Sequence, residues 1–270
     1  MPDGSYLLGT HAEELDRLRF QNQLWRPIAQ EAWARAGLQA GESVLDVGAG
    51  PGFAAMDLAR VVGSSGRVLG LELSHDYVRA GRAIAGDADL PQLELRQHNL
   101  LTEPWPKERF GLIWCRWVAM FLPQLEPLIK GVEGCIQPGG RWIIHEYLHW
   151  DTFALHPHGD AVARFGQACQ LSFRASGGDP DVNRRLPLLL TERGWTLEAL
   201  QPLPVLGTPD SMAGQWMERF VTVYGKTLQK RGLWGEEDAA EARREMAQAK
   251  RQPGCYWVGP TVLEVRARRD

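Results

Sequence analysis

The pattern of hydrophobic positions alternates between two periods over the first 150 residues. Short apolar runs bounded by turn residues predict buried strands, whereas apolar residues spaced three or four positions apart predict helices. Strands are predicted near residues 44–47, 67–72, 92–97, 110–115 and 141–147. Helices are predicted near residues 53–62, 76–85 and 123–136. This alternation predicts an α/β fold with a Rossmann-like, doubly wound and mostly parallel sheet that has helices on both faces.

The regions that flank this core are predicted to be richer in helix. Residues 11–36 carry leucine and tryptophan at helical intervals, with Pro27 as a candidate break. After Trp150, helices are predicted near 160–173, near 183–193 and through most of 210–250, and extended segments near 195–202 and 255–266. The predicted divisions are a helical lead-in (1–36), a core (37–150) and a C-terminal part (151–270) that completes the sheet and adds cap helices at about 151–180 and 205–252.

The most informative segment is VLDVGAGPGF at residues 44–53, where the first predicted strand passes into the first predicted helix. A buried strand, a glycine turn and a helix bring backbone close to a ligand and point helix N–H groups at it. The second strand ends at Glu72, about twenty residues further on, where nucleoside-binding βαβ units carry an acid for the ribose hydroxyls. A dinucleotide-binding dehydrogenase would need a third glycine at the position of Phe53, which weakens that interpretation.

The sequence resembles the class I, S-adenosylmethionine-dependent methyltransferases. The resemblance rests on three motifs in the same order, which are the turn Asp46–Gly52, the acid Glu72 and the turn Pro138-Gly139-Gly140 before a strand. It covers about residues 35–150. It implies S-adenosyl-L-methionine as the cofactor and S-adenosyl-L-homocysteine as its product. The core (37–150) is then expected to bind this cofactor, and the helical lead-in (1–36) is expected to lie over its site. It also implies an antiparallel hairpin of the last two strands at the sheet edge, with residues 210–250 inserted within it.

The candidate cofactor residues follow from the rule that open α/β sheets bind ligands beyond the carboxyl ends of their strands. The resemblance implies that the glycine turn passes the methionine part of the cofactor, that Glu72 holds the ribose, and that Asn99 meets the adenine. It also implies that the Cys115 carbonyl and Arg116 meet the amino and carboxylate groups. The full predicted set is Tyr6, Gln23, Asp46, Gly48, Ala49, Gly50, Glu72, Leu73, Asn99, Leu100, Cys115 and Arg116.

Acid–base groups are densest at the end of the fifth predicted strand, in the segment His145–Trp150. Strand alternation puts His145 and His149 on one face and Glu146 on the other. Each histidine is a candidate general base because imidazole titrates near neutral pH. Glu146 is a candidate for binding an amine acceptor or for orienting a histidine. A base is needed only where the acceptor carries a proton that must leave.

Aromatic residues are the candidates for an acceptor pocket. The chain has eleven tryptophans, several of them near predicted strand ends, and most are expected to fill the core. Four aromatic residues are predicted to form the walls of an apolar acceptor pocket: Trp117, Tyr147, Trp150 and Phe173.

Charge and composition narrow the class of protein. The formal net charge is −3 with acidic and basic residues intermixed, which argues against a nucleic-acid-binding surface. Four scattered cysteines with no C-x-x-C spacing predict neither a metal site nor a disulfide framework. No apolar run of about 18 residues occurs, so a cytoplasmic protein without a membrane span is predicted. A monomer or homodimer that takes a small-molecule acceptor is expected.

The predicted function is methyl transfer from S-adenosylmethionine to oxygen or nitrogen of a small, apolar or aromatic metabolite. Two alternatives stay open. One is a methyltransferase of peptides or proteins, which needs a more open cleft. The other is a regulatory protein that binds S-adenosylmethionine and transfers no methyl group.

Overall fold

A seven-stranded sheet forms the centre of the protein, and a computed structural model describes residues 12–270. In chain order the strands are β1 (Ser43–Val47), β2 (Arg67–Glu72), β3 (Leu93–Gln97), β4 (Phe110–Arg116), β5 (Ile136–His149), β6 (Ala154–His156), β7 (Trp195–Leu203), β8 (Leu206–Gly207), β9 (Tyr256–Val258) and β10 (Thr261–Arg269). The central sheet has the order β3-β2-β1-β4-β5-β10-β7, and β6, β9 and β8 form a small second sheet. Strands β1 to β5 are parallel, and β10 runs antiparallel to both of its neighbours.

The helices cover both faces of the sheet and extend beyond it. They are α1 (Ala12–Arg35), α2 (Phe53–Val62), α3 (His75–Asp87), α4 (Glu126–Cys135), α5 (Asp160–Ala175), α6 (Leu186–Glu192), α7 (Met212–Lys230) and α8 (Glu236–Arg251). Strands β1 and β2 are buried along almost their whole length, as expected for parallel strands covered on both faces. The predicted α/β class, with a mostly parallel sheet and a C-terminal antiparallel strand, is confirmed.

The edge of the sheet follows the arrangement that the sequence resemblance implies. Strands β7 and β10 pair antiparallel although helices α7 and α8 lie between them in the chain. Helix α7 packs against α1, and α5 packs against both α7 and α8. None of the helices in residues 12–270 is long and apolar enough to cross a lipid bilayer.

Helix α1 corrects one sequence prediction, because it continues through Pro27 without a break. Pro27 lies on the exposed side of α1, whereas Trp25 and Trp33 of the same helix are fully buried. The packing of this apolar face offsets the backbone hydrogen bond that proline removes.

The strand order places a crevice next to the glycine turn. Strand β1 lies between β2 and β4. The chain therefore places β2 and β3 on one side of β1, and then β4 and β5 on its other side. Such a switch in direction opens a crevice at the carboxyl ends of the strands, where α/β proteins bind ligands. The turn that follows β1 and the loop that follows β4 border this crevice.

Candidate active site

Two adjoining pockets open at the carboxyl ends of β1, β4 and β5. The first, here called the turn pocket, is lined by Leu18, Gln21, Asn22, Asp46, Gly48, Ala49, Gly50, Pro51, Phe53, Ala54, Glu72, Tyr77, Trp114, Arg116 and Trp117. The second, here called the aromatic pocket, is lined by Arg17, Leu18, Gln21, Trp117, Met120, Phe121, Tyr147, Trp150, Phe153, Phe173, Trp216, Met217, Phe220 and Pro260. Leu18, Gln21 and Trp117 line both, so the two pockets meet at these residues.

The glycine turn has a backbone conformation that other residues rarely adopt. Gly48, Gly50 and Gly52 have φ angles of 70°, 56° and 78°, in the left-handed region that favours glycine. A Cβ atom on Gly48 would lie 2.2 Å from Cγ2 of Val118, whereas one on Gly50 would have no atom within 4 Å. The first glycine therefore permits close packing on the loop after β4, and the second leaves the pocket open.

Glu72 ties the glycine turn to the end of β2. The Gly50 N–H donates to Oε2 of Glu72 at 2.9 Å, and the Ser74 N–H donates to Oε1 at 2.7 Å. Burial raises the pKa of this carboxyl, and the backbone hydrogen bonds oppose that rise. A carboxylate offers about four acceptor sites, so Glu72 keeps accepting capacity for a ligand in the turn pocket.

Asp46 lies beneath the same turn and is 2% exposed. The backbone N–H of Ala55, in the first turn of α2, lowers the pKa of this carboxyl, since it favours the charged form. Its Oδ2 atom has no hydrogen-bond partner within residues 12–270. Burial raises the pKa of Asp46 to about 7, although the nearby positive charge of Arg116 lowers it. A buried acceptor without a donor is costly, which indicates that a ligand completes it.

Arg116 supplies the complementary group at the end of β4. Its Nη2 donates to Oδ1 of Asn22 at 3.0 Å, whereas Nη1 has no acceptor in the part of the chain that the structure describes. Burial lowers the pKa of Arg116 to about 10, so the guanidinium stays charged at neutral pH. Within residues 12–270 the turn pocket thus has a carboxyl oxygen without a donor, on Asp46, and a guanidinium nitrogen without an acceptor, on Arg116. These two groups fit the ammonium and carboxylate of an amino acid.

The aromatic pocket is built around a stack of three rings. Trp117 stacks on Tyr147 and on Trp216, with ring centroids 5.5 and 6.2 Å apart. Trp150 packs edge-on against Tyr147 and Phe173. All four residues that the sequence suggested as acceptor walls therefore line one pocket: Trp117, Tyr147, Trp150 and Phe173.

Glu146 holds the loop that carries Trp117. Its Oε1 accepts hydrogen bonds from the N–H groups of Val118 at 2.6 Å and Ala119 at 2.7 Å. Trp117 itself has a φ of 54°, which a tryptophan adopts only when its surroundings enforce it. Glu146 lines neither pocket, so its predicted catalytic role is corrected to a positioning role.

Glu146 should make stability depend on pH. Burial raises its pKa from the ordinary value of 4.5 to about 8, so the folded state keeps a proton that the unfolded chain releases. The free energy of unfolding should therefore fall as pH rises from about 4.5 to about 8, by on the order of 1 kcal/mol per pH unit. Glu146→Gln keeps the accepting oxygen but does not titrate, so this part of the slope should disappear. Urea unfolding of both proteins at several pH values measures the difference, and parallel curves would contradict this account.

Neither histidine of β5 lies where a base would act, which corrects that prediction. His145 is fully buried, its Nε2 lies 3.2 Å from Oε2 of Glu264 on β10, and its ring packs edge-on against Trp114. His149 is exposed, and its Nδ1 lies 3.4 Å from Nη2 of Arg184. Neither residue lines a pocket. Their bonding partners come from distant parts of the chain, so the local sequence could not reveal them.

The predicted cofactor residues fall into two groups. Six line the turn pocket: Asp46, Gly48, Ala49, Gly50, Glu72 and Arg116. Five others do not line it: Gln23, Leu73, Asn99, Leu100 and Cys115. Asn99 uses its Oδ1 to accept the Leu101 N–H at 2.9 Å, which caps its own turn, and Cys115 is buried in the core. Tyr6 lies outside the described residues.

Helix α1 supplies site residues that the sequence prediction missed. Gln23 is exposed, whereas Leu18, Gln21 and Asn22 line the turn pocket. The residue spacing could have indicated these three residues, because positions 18, 21 and 22 share one helical face with the buried Trp25. Gln23 lies about 200° around the helix from Trp25.

Comparisons with known proteins agree with this architecture. A family model described as a methyltransferase domain matches residues 38–172, half of the chain. A demethylmenaquinone methyltransferase of Oceanobacillus iheyensis is 27% identical over 126 residues, which are 47% of this chain and 52% of that protein. The chain thus aligns with about half the length of this curated relative.

Two solved structures share the fold at low sequence identity. Coclaurine N-methyltransferase, bound to N-methylheliamine and S-adenosylhomocysteine, superposes with a TM-score of 0.61 at 14% identity, covering 90% of this chain and 72% of that one. Geranyl diphosphate C-methyltransferase from Streptomyces coelicolor, in complex with S-adenosylhomocysteine, has a TM-score of 0.51 at 18% identity, covering 86% and 72%. These similarities extend well beyond the region that the family model matches.

Proposed function

This chain belongs to the methyltransferase-domain family, and we propose that it transfers a methyl group from S-adenosylmethionine to oxygen or nitrogen of a small, apolar or aromatic acceptor. One observation carries the proposal. The polar turn pocket adjoins the aromatic pocket at Trp117. Within residues 12–270, the turn pocket has a carboxyl oxygen and a guanidinium nitrogen that lack hydrogen-bond partners.

The turn pocket suits the donor molecule group by group. Glu72 would accept from the ribose hydroxyls, Asp46 would accept from the amino acid's ammonium, and Arg116 would hold its carboxylate. The glycine turn leaves room beside the methionine part, because Gly50 has no side chain there. When bound, S-adenosylmethionine supplies a methyl group on a positively charged sulfur, and a lone pair on the acceptor forms the new bond while the carbon–sulfur pair returns to sulfur.

The chain's own contribution to the reaction is placement. Trp117 borders both pockets, so an acceptor stacked in the aromatic pocket lies next to the donor site. Fixing two reactants in line at about 3 Å can supply several kcal/mol of the barrier without a charged catalyst. The aromatic walls also exclude water from the reacting atoms.

The shape of the aromatic pocket favours a small acceptor over a peptide. Its walls include Phe153 and Phe173 from residues 151–180, and Trp216 and Phe220 from residues 205–252. We attribute the cap function to these two segments. The solved relatives carry names that refer to nitrogen and carbon acceptors, so the family alone does not determine which atom this chain methylates.

The experiment is a titration followed by a transfer assay. Calorimetry with S-adenosylmethionine should give a dissociation constant in the micromolar range, typical of small ligands in enclosed sites. Incubation with methyl-labelled donor and a panel of small aromatic alcohols and amines should then label at least one acceptor.

The alternatives predict other results. Tight donor binding without transfer to any small acceptor or peptide would favour a regulatory protein. Label on peptides but not on small acceptors would favour a peptide methyltransferase. Thermal stabilisation by a nicotinamide dinucleotide and not by S-adenosylmethionine would refute the proposal.

A further inference from the structure

We propose that Gln21 selects the acceptor, by donating a hydrogen bond from its amide nitrogen to an acceptor hydroxyl oxygen, so that the acceptor is an aromatic or enolic alcohol and not an amine. This inference rests on the proposed function and narrows it to one class of substrate. It follows from the orientation of one side chain and from the chemical groups of one pocket.

The orientation of the Gln21 amide is fixed by two neighbours that can only donate. Nη1 of Arg17 donates to Oε1 of Gln21 at 2.9 Å, and Nε1 of Trp216 donates to the same oxygen at 3.0 Å. Guanidinium and indole groups have no acceptor atom, so the atom that receives both hydrogen bonds must be the oxygen. The other amide atom is therefore the donor Nε2, for which the structure shows no hydrogen-bond acceptor within residues 12–270.

Gln21 also lies where the acceptor's reacting atom must be. It lines both the turn pocket and the aromatic pocket, as does Trp117. An acceptor atom that receives the methyl group has to sit at the meeting point of the two pockets. Because the Gln21 oxygen is occupied, the polar group that Gln21 can offer to a ligand there is an N–H donor.

The other polar groups of the aromatic pocket are also donors. Trp117 and Trp150 have buried Nε1–H groups without an acceptor in the described part of the chain. Arg17 also lines the pocket, and its guanidinium is paired with the buried carboxylate of Glu14 at 2.7 Å. Burial raises the pKa of Tyr147, so its hydroxyl keeps its proton at neutral pH. None of the described residues that line this pocket is aspartate, glutamate or histidine.

These donor groups should favour a neutral or anionic acceptor over a cationic one. A hydroxyl oxygen, and still more its ionised form, accepts hydrogen bonds from such donors. Within residues 12–270 no carboxylate lines this pocket, and the nearby Glu14 is already engaged in an ion pair with Arg17 at 2.7 Å. A protonated amine would therefore face hydrogen-bond donors only. None of the described lining residues is suited to act as a base, so an acidic hydroxyl that releases its proton to solvent before transfer fits better than an ammonium group.

The test uses the protein saturated with S-adenosylhomocysteine and 4-nitrophenol as the probe. The phenolate form of this probe absorbs visible light, so a pH titration measures the pKa of the bound molecule. In the wild-type protein the bound probe should ionise at lower pH than the free probe. In Gln21→Glu the oxygen facing Arg17 and Trp216 is kept while the donor becomes an acceptor, so phenolate affinity should drop about ten- to a hundredfold. The matched control is Gln23→Glu, two positions away on the exposed face, which should change neither quantity.

A second measurement separates this proposal from the function on which it rests. Calorimetry should show that 2-naphthol binds the saturated protein more tightly than 2-naphthylmethylamine, which is similar in shape but cationic. If S-adenosylhomocysteine binds but the amine binds more tightly, or neither phenol binds, the role of Gln21 is refuted while the methyltransferase proposal stands. If S-adenosylhomocysteine does not bind, the methyltransferase proposal itself fails.

Discussion

Replacing Asp46 with asparagine is expected to weaken S-adenosylmethionine binding by about 30- to 100-fold. The substitution keeps the shape of the side chain but removes the charge that would pair with the ligand's ammonium group. In the wild type, Oδ2 is buried and has no donor within the described residues, so a ligand that supplies one gains a charge-assisted hydrogen bond in a dry site. Calorimetry at a pH above about 7, where Asp46 is ionised, measures the loss.

The matched control for Asp46 is a change of ligand. 5′-Methylthioadenosine shares the adenosine and the sulfur with the donor but lacks the amino acid, so its affinity should change less than about threefold in Asp46→Asn. Glu72→Gln should weaken both ligands, because both have the ribose. Equal losses for the two ligands in Asp46→Asn would show that the substitution disturbs the turn and does not remove a specific contact.

Replacing Gly48 with alanine is expected to lower the free energy of unfolding by about 2–4 kcal/mol and to impair donor binding. The added Cβ would lie 2.2 Å from Cγ2 of Val118, on the loop that Glu146 holds in place. Neither the turn nor the loop can retreat freely, since backbone hydrogen bonds fix both. Chemical denaturation measures the stability, and calorimetry measures the binding.

Two further variants isolate the collision at Gly48. Gly50→Ala has the same unfavourable left-handed backbone, but its Cβ has no atom within 4 Å, so it should cost only about 1–2 kcal/mol. Val118→Ala removes both methyl groups and leaves its Cβ 3.2 Å from the new atom. The double variant Gly48→Ala/Val118→Ala should therefore be more stable than the sum of the single effects. Strict additivity would show that backbone strain, and not contact with Val118, causes the loss.

The sequence predicted the part of the site that is built from local chain geometry. The strand, the glycine turn and the acid ending β2 lie within about thirty residues, and each has a conformational requirement visible in the residue type. The aromatic walls were also predicted, because Trp117, Tyr147 and Trp150 follow directly from strand ends. These features depend on periodicity and chain direction, which a sequence carries.

The residues whose roles depend on distant partners were not predictable in this way. Strand alternation correctly places Glu146 and His145 on opposite faces of β5. It does not show that the His145 side chain pairs with Glu264 on β10. Nor does it show that Glu146 turns to the N–H groups of the loop after β4. His145 and Glu146 thus make buried structural hydrogen bonds, and the exposed His149 lies beside Arg184. These residues resemble a catalytic cluster in composition alone.

We expect the turn after β1 and the acid ending β2 to bind the methyl donor together. A crystal structure of the protein with S-adenosylhomocysteine would show whether they do. Density is expected in the turn pocket, with the ribose hydroxyls at Glu72 and the amino acid between Asp46 and Arg116. Density for the ligand at any other place, or an empty turn pocket at saturating ligand, would contradict it.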